Sequence, residues 1–116
     1  MKYQIKYSPT VAEKLKKMRT QITSSHSKEI AIKVISAILE SINELKNNPE
    51  IGPSVEAIMG IPTPYRFLHV EKNFVFYRLE DNTIYIIEIF NEREDFLWKM
   101  FHIKLRTWES MNFWGE

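Results

Sequence analysis

Cysteine is absent from the 116 residues of this chain. That excludes a disulfide framework, a thiolate metal site and a cysteine nucleophile, and it suits a reducing cytosol. Glycine is scarce, at positions 52, 60 and 115, and no glycine-rich loop is present to cradle a phosphate. No apolar run approaches the roughly 20 residues that a membrane span needs. Met1–Tyr7 lacks the apolar core of a signal peptide, so a cytoplasmic protein is expected. The three histidines are scattered without the paired spacing of a metal site. Neither a metal nor a cofactor is therefore expected. Ser24, Ser25 and Ser27 beside His26 have no carboxylate with them, and they read as a capping turn rather than a nucleophile site.

Hydrophobic residues make up 44% of the chain and charged residues 27%, enough apolar material to close the core of one soluble domain. The net charge of +1 hides an asymmetry. Residues 1–46 carry nine Lys or Arg against four Asp or Glu, whereas residues 47–116 carry seven against eleven. A basic half of this kind either faces phosphates or an acidic partner segment, or forms solvated lysine-rich helix faces.

Periodicity divides the chain into elements. Lys2–Tyr7 alternates polar residues with Tyr3, Ile5 and Tyr7 and predicts a strand. After Ser8-Pro9, the pair Thr10 and Glu13 matches a capping box, and Val11, Leu15, Met18 and Ile22 form a helical stripe. Thr23–Ser27 breaks it. A second helix follows, with Ile30, Val34, Ile35, Ile38, Leu39, Ile42 and Leu45 on a wide apolar face. It stops at Asn47-Asn48-Pro49. Glu50–Pro64 reads as an irregular connection with one helical turn around Ser54–Met59. Tyr65–Val70, Phe74–Leu79 and Thr83–Phe90 are strands joined by hairpin turns at Glu71-Lys72-Asn73 and Glu80-Asp81-Asn82. The last of them is apolar on both parities and should be central. Asn91 with Glu94 offers a final helix start, with Phe96, Leu97, Met100, Phe101 and Ile103 on its buried face. The tail from Lys104 has no period, but Trp108, Phe113 and Trp114 would be costly to leave exposed. Residues 104–116 should dock on the body or on a partner.

The order β-α-α-β-β-β-α predicts an α+β fold in which an N-terminal strand and a helical hairpin pack on an antiparallel sheet, with two layers and one core. This order resembles the RelE/ParE superfamily of toxins from bacterial type II toxin–antitoxin systems, over residues 1–103. The resemblance is carried by Tyr65-Arg66-Phe67, by Asn73-Phe74-Val75-Phe76-Tyr77-Arg78, and by the run from Glu88 through Asn91-Glu92-Arg93-Glu94-Asp95 to Phe96. It implies a small toxin wrapped by a cognate antitoxin, with larger toxin–antitoxin assemblies possible. RelE-like members enter the ribosome and cut mRNA, which is the activity expected first; ParE-like members instead inhibit DNA gyrase without catalysis. A nontoxic interaction module of the same fold is the third alternative.

Metal-independent RNA cleavage needs a base for the 2′-OH, a cation for the phosphate and an acid for the leaving oxygen. By the resemblance, Arg66 could grip the scissile phosphate, and Arg93, ahead of the last helix, matches a family arginine. Arg78 matches the family strand too, but it could equally pair with the acidic turn Glu80-Asp81. Histidine as a residue type titrates near neutrality, so His69 and His102 could serve as acid or base; otherwise they are a surface residue and a helix C-terminal cation. Glu88, in an apolar strand, either pairs with a cation or has a raised pKa useful to a base. Three positions depart from ribosome-dependent relatives: Phe74 where many have arginine, Leu68 where a lysine is usual, and Trp98 near where some have a tyrosine.

Overall fold

The computed structural model describes residues 3–101. His102, Ile103 and the tail 104–116 lie outside the described residues. Strand β1 spans Gln4–Tyr7, followed by helices α1 (Pro9–Ser25) and α2 (Lys28–Asn43), which ends in a 3-10 turn at Glu44–Lys46. A short helix α3 (Val55–Met59) leads into β2 (Arg66–Val70), β3 (Asn73–Glu80), β4 (Thr83–Asn91) and helix α4 (Phe96–Phe101). None of the described helices is long and apolar enough to cross a membrane.

The α1 helix begins earlier than the Thr10–Glu13 pairing predicts. Pro9 takes the first helical position, where its fixed φ is helical and its missing N–H is no loss. Ser8 then caps the helix, its Oγ accepting from the Val11 N–H at 3.1 Å. The same hydroxyl donates to the Ile87 carbonyl at 2.9 Å and ties the helix start to β4. At the other end, α1 runs through Thr23–Ser25 instead of breaking there. The hydroxyls of Thr23 and Ser25 fold back onto the carbonyls of Arg19 and Gln21, at 2.7 and 2.8 Å, so they coexist with the helix. The hairpin turn shrinks to His26-Ser27, with Ser27 Oγ capping α2 through the Ile30 N–H.

The four strands lie in the order β1-β4-β3-β2, so β4 is central as its two-sided apolar pattern predicts. The three hairpin-linked strands are antiparallel, but β1 runs parallel to β4, with Ile5 beside Ile84 and Tyr7 beside Ile86, and the sheet is mixed. The β2–β3 turn is tighter than the predicted three residues. Glu71 and Lys72 both have positive φ, 50° and 62°, which matches the right-handed twist of a two-residue hairpin. In β4 one extra residue interrupts the ladder, because Phe76 pairs with Glu88 while Tyr77 pairs with Ile86.

Two clusters replace the single core predicted from the sequence. On one face of the sheet, Val75, Tyr77, Ile84, Ile86 and Ile89 pack under Val11, Ile38, Ile42 and Leu45 of the hairpin. On the other, Phe76 and Phe90 join Val55 and are flanked by Phe67, Phe74, Phe96 and Phe101. The reason lies in β3, whose Phe74-Val75-Phe76-Tyr77 run is apolar on both parities, so both of its faces must be covered.

Candidate functional site

Arg66 opens β2 opposite Tyr77, and its guanidinium turns to the irregular segment before α3. It donates to the carbonyls of Gly52 (2.8 Å) and Glu50 (3.3 Å). Tyr77 completes this clamp, its hydroxyl donating to the Pro49 carbonyl at 2.8 Å and accepting from the Gly52 N–H at 3.0 Å. Burial raises the Tyr77 pKa above its ordinary value despite the Gly52 N–H, so the hydroxyl stays neutral and keeps both roles. Gly52 is required here, since a Cβ would stand 2.3 Å from the Phe67 carbonyl oxygen. Neither Glu71 nor Glu88 is a partner of Arg66.

Strand alternation puts His69 and Arg78 on the opposite, aromatic face. His69 stacks at 4.9 Å on Phe74, and its Nε2 lies 2.8 Å from the Glu92 carboxylate. Arg78 pairs with Glu80 and lies 4.5 Å from the centroid of the Tyr85 ring. The Glu80 carboxylate pushes its pKa upward. Since His69 faces Phe74 across the ladder, Arg78 stands four residues further along β3, roughly 13 Å away at strand spacing.

Glu88 is paired. Its Oε1 accepts from Lys14 Nζ at 2.7 Å, and the same ammonium donates to the Ile89 carbonyl at 3.0 Å. Lys14 is not among the candidates named from the sequence, although its spacing carries a signal: it stands three residues after Val11 and four before Met18, on the buried stripe of α1.

The loop after β4 is knotted by its own side chains. Glu94 Oε2 accepts from the Asn91 N–H at 2.7 Å, and Glu94 Oε1 accepts from Lys99 at 2.7 Å. Asn91 Oδ1 accepts from the Arg93 N–H at 3.0 Å. The Glu94 N–H donates back to the Asn91 carbonyl at 2.9 Å, and this reciprocal pairing closes a turn, but α4 itself starts later, with Asp95 Oδ1 accepting from the Trp98 N–H. Arg93 projects from the knot, exposed, and among the described residues its guanidinium has no hydrogen-bond or ion-pair partner. His102 lies outside the described residues.

These candidate cations and acids are therefore spread over four places: Arg66 on the hairpin side, His69 and Arg78 at separate points of the aromatic face, and Glu88 under Lys14. His69 bonds Glu92, the chain neighbour of Arg93. Among the described residues the arrangement holds loops and edges in position and does not gather a base, a cation and an acid around one phosphate.

Comparison with known proteins agrees with the architecture. No curated protein matches the chain. Among solved structures, a chain from the chromosomal ParDE toxin–antitoxin system of P. aeruginosa superposes with a TM-score of 0.65 at 20% identity, covering 77% of this chain and 95% of that one. At that identity the likeness shows the fold. Residues 5–96 match the family described as the ParE toxin of the type II toxin–antitoxin system, parDE. Neither comparison supports the expectation of ribosome-dependent mRNA cleavage. The match covers most of the chain, from the first strand to the start of the last helix, and on that ground the chain belongs to the ParE toxin family of type II toxin–antitoxin systems.

Proposed function

We propose that this chain is the toxin of a two-gene pair in the cytoplasm, neutralised by a cognate antitoxin, and that it acts as a noncatalytic inhibitor of DNA gyrase. The observation that carries this reading is the family match over residues 5–96, which falls on the ParE branch of the superfamily. The dispersal of Arg66, Arg78, His69 and Glu88 among separate structural partners supports it, because a poison that works by binding needs no convergent acid and base. Arg93 and the half-exposed Trp98 are residue types that anchor protein interfaces. Pulse labelling after induction tests the proposal. DNA synthesis should fall and the DNA-damage response should rise while protein synthesis continues, and the purified chain should inhibit gyrase supercoiling. An early stop in protein synthesis with intact supercoiling would overturn it.

A further inference from the structure

Helix α2 carries more apolar surface than the sheet takes up. Ala31, Ile38 and Ile42 are wholly buried, but Ile32 and Leu39 remain 47 and 39% exposed. Together with the exposed Glu29, Ser36 and Asn43 they form one line along the helix, at spacings of three, four, three and four. That is the spacing of a helix-packing seam, and the small Ser36 at its centre leaves room for a facing side chain. The charges beside the line run in an unusual order. Lys28 and Lys33 stand in the N-terminal half of α2, whereas Glu40 lies near its C-terminus and Glu44 caps it. Of the charges on α2, only Glu29 follows the helix dipole, which favours acids at the start and bases at the end. Among the described residues, none of Lys28, Lys33, Glu40 and Glu44 has an ion-pair partner to offset that order.

We propose that this face of α2 binds a second copy of the chain, α2 against α2 and antiparallel, with Ser36 of both copies near a two-fold axis. Reversing one helix against the other sets the lysine half of each on the glutamate half of its neighbour, and the symmetry makes every contact twice. Ile32 then lies beside the partner's Leu39, Lys33 reaches the partner's Glu40, and Glu29 comes opposite the partner's Asn43. A second copy is the occupant that fits, because the stripe is complementary to itself when reversed, in charge as well as in apolar pattern. A parallel pairing would set lysine on lysine and glutamate on glutamate. The seam is short, 16 residues or about 24 Å, and one helix pair of that length falls short of a standard interface. The dimer is therefore a weak one, in exchange with the monomer at micromolar concentrations. The inference goes beyond the toxin reading and does not depend on the toxin's target.

Sedimentation equilibrium of the purified full chain, from low to high micromolar concentration, tests the pairing. The weight-average mass should climb toward that of a dimer and fall back on dilution. Leu39→Lys should raise the concentration of half-association roughly tenfold or more. Lys33→Glu and Glu40→Lys should each weaken association in the same way, since each sets like charges face to face. Mixed in equal amounts, those two variants should associate again, because one then offers only glutamates and the other only lysines at the two positions. All three side chains are exposed, so the variants should melt at the wild-type temperature. A wild-type chain that stays monomeric at every concentration would overturn the inference. So would variants that associate as the wild type does, or a mixture of the two charge variants that stays monomeric. Supercoiling by gyrase is followed with the same samples. A dimer that leaves gyrase untouched would bring down the functional reading and leave this inference standing.

Discussion

The two faces of the sheet are covered in different ways. The hairpin face is aliphatic and roofed by helices of 17 and 16 residues, and Ile38, Ile42, Ile84 and Ile86 are wholly buried beneath them. The aromatic face is roofed by helices of five and six residues, and several of its rings, among them Phe67, Phe74 and Phe96, are only partly buried. Helices that short have no stability of their own. The α4 helix stays in place because Phe96 meets Phe74 and Phe76 at 5.1 and 5.4 Å and Phe101 meets Tyr65 at 6.2 Å, and α3 because Val55 is buried with Phe76 and Phe90. One face therefore carries the stability of the domain, and the other carries adaptable surface beside the Arg93 loop.

Truncation on each face tests that division. Ile86→Ala removes a fully buried side chain between sheet and hairpin and should cost about 2–5 kcal/mol in urea unfolding. Phe96→Ala takes a partly buried ring from the aromatic face and should cost less, about 1–2 kcal/mol. Its exchange signature should be confined to α4 and the Arg93 loop, with the hairpin amides unchanged. Equal costs at the two positions would show that the faces share one cooperative core.

The smallest effect is acid sensitivity on the aromatic side. Burial alone would raise the Glu94 carboxyl, but Lys99 and the Asn91 N–H outweigh it and hold the pKa below the ordinary 4.5. A folded pKa below the unfolded one gives stability that is present above about pH 4.5 and is lost as pH falls through the lower folded value. The Asn91 amide should accordingly become more labile in that acid range, and Glu94→Gln should flatten the dependence. A wild-type profile with no acid step would remove Glu94 as the tie of that loop.

Much of this architecture was legible in local pattern. Stripes at helical spacing marked the hairpin, the two-sided run Ile84–Phe90 marked the central strand, and Ser54 with Gly60 bracketed the short α3 helix, where Ser54 caps and Gly60 takes φ 71°. Illegible were the meetings between residues distant in sequence. Lys14 finds Glu88 74 positions later, and Tyr77 reaches back 28 positions to Pro49. Nothing near Arg66 announces that carbonyls 14 and 16 residues upstream will claim it. A charged residue in a strand reads as chemistry until its long-range partner is known. Arg93 differs, because no described residue engages its guanidinium.

The extra residue in β4 has the effect of a phase shift. Strict alternation from Ile84 and Ile86 would send Glu88 and Phe90 under the hairpin and Ile89 to the aromatic side. The shift at Ile87 does the reverse, delivering Ile89 to the aliphatic cluster and Phe90 to the rings. Flattening that bulge with the residue kept would leave the composition untouched, yet it would exchange the inward and outward sides of the strand's second half. A carboxylate would then sit in the oiliest part of the molecule, and the loop bearing Arg93 would leave the sheet from its other side.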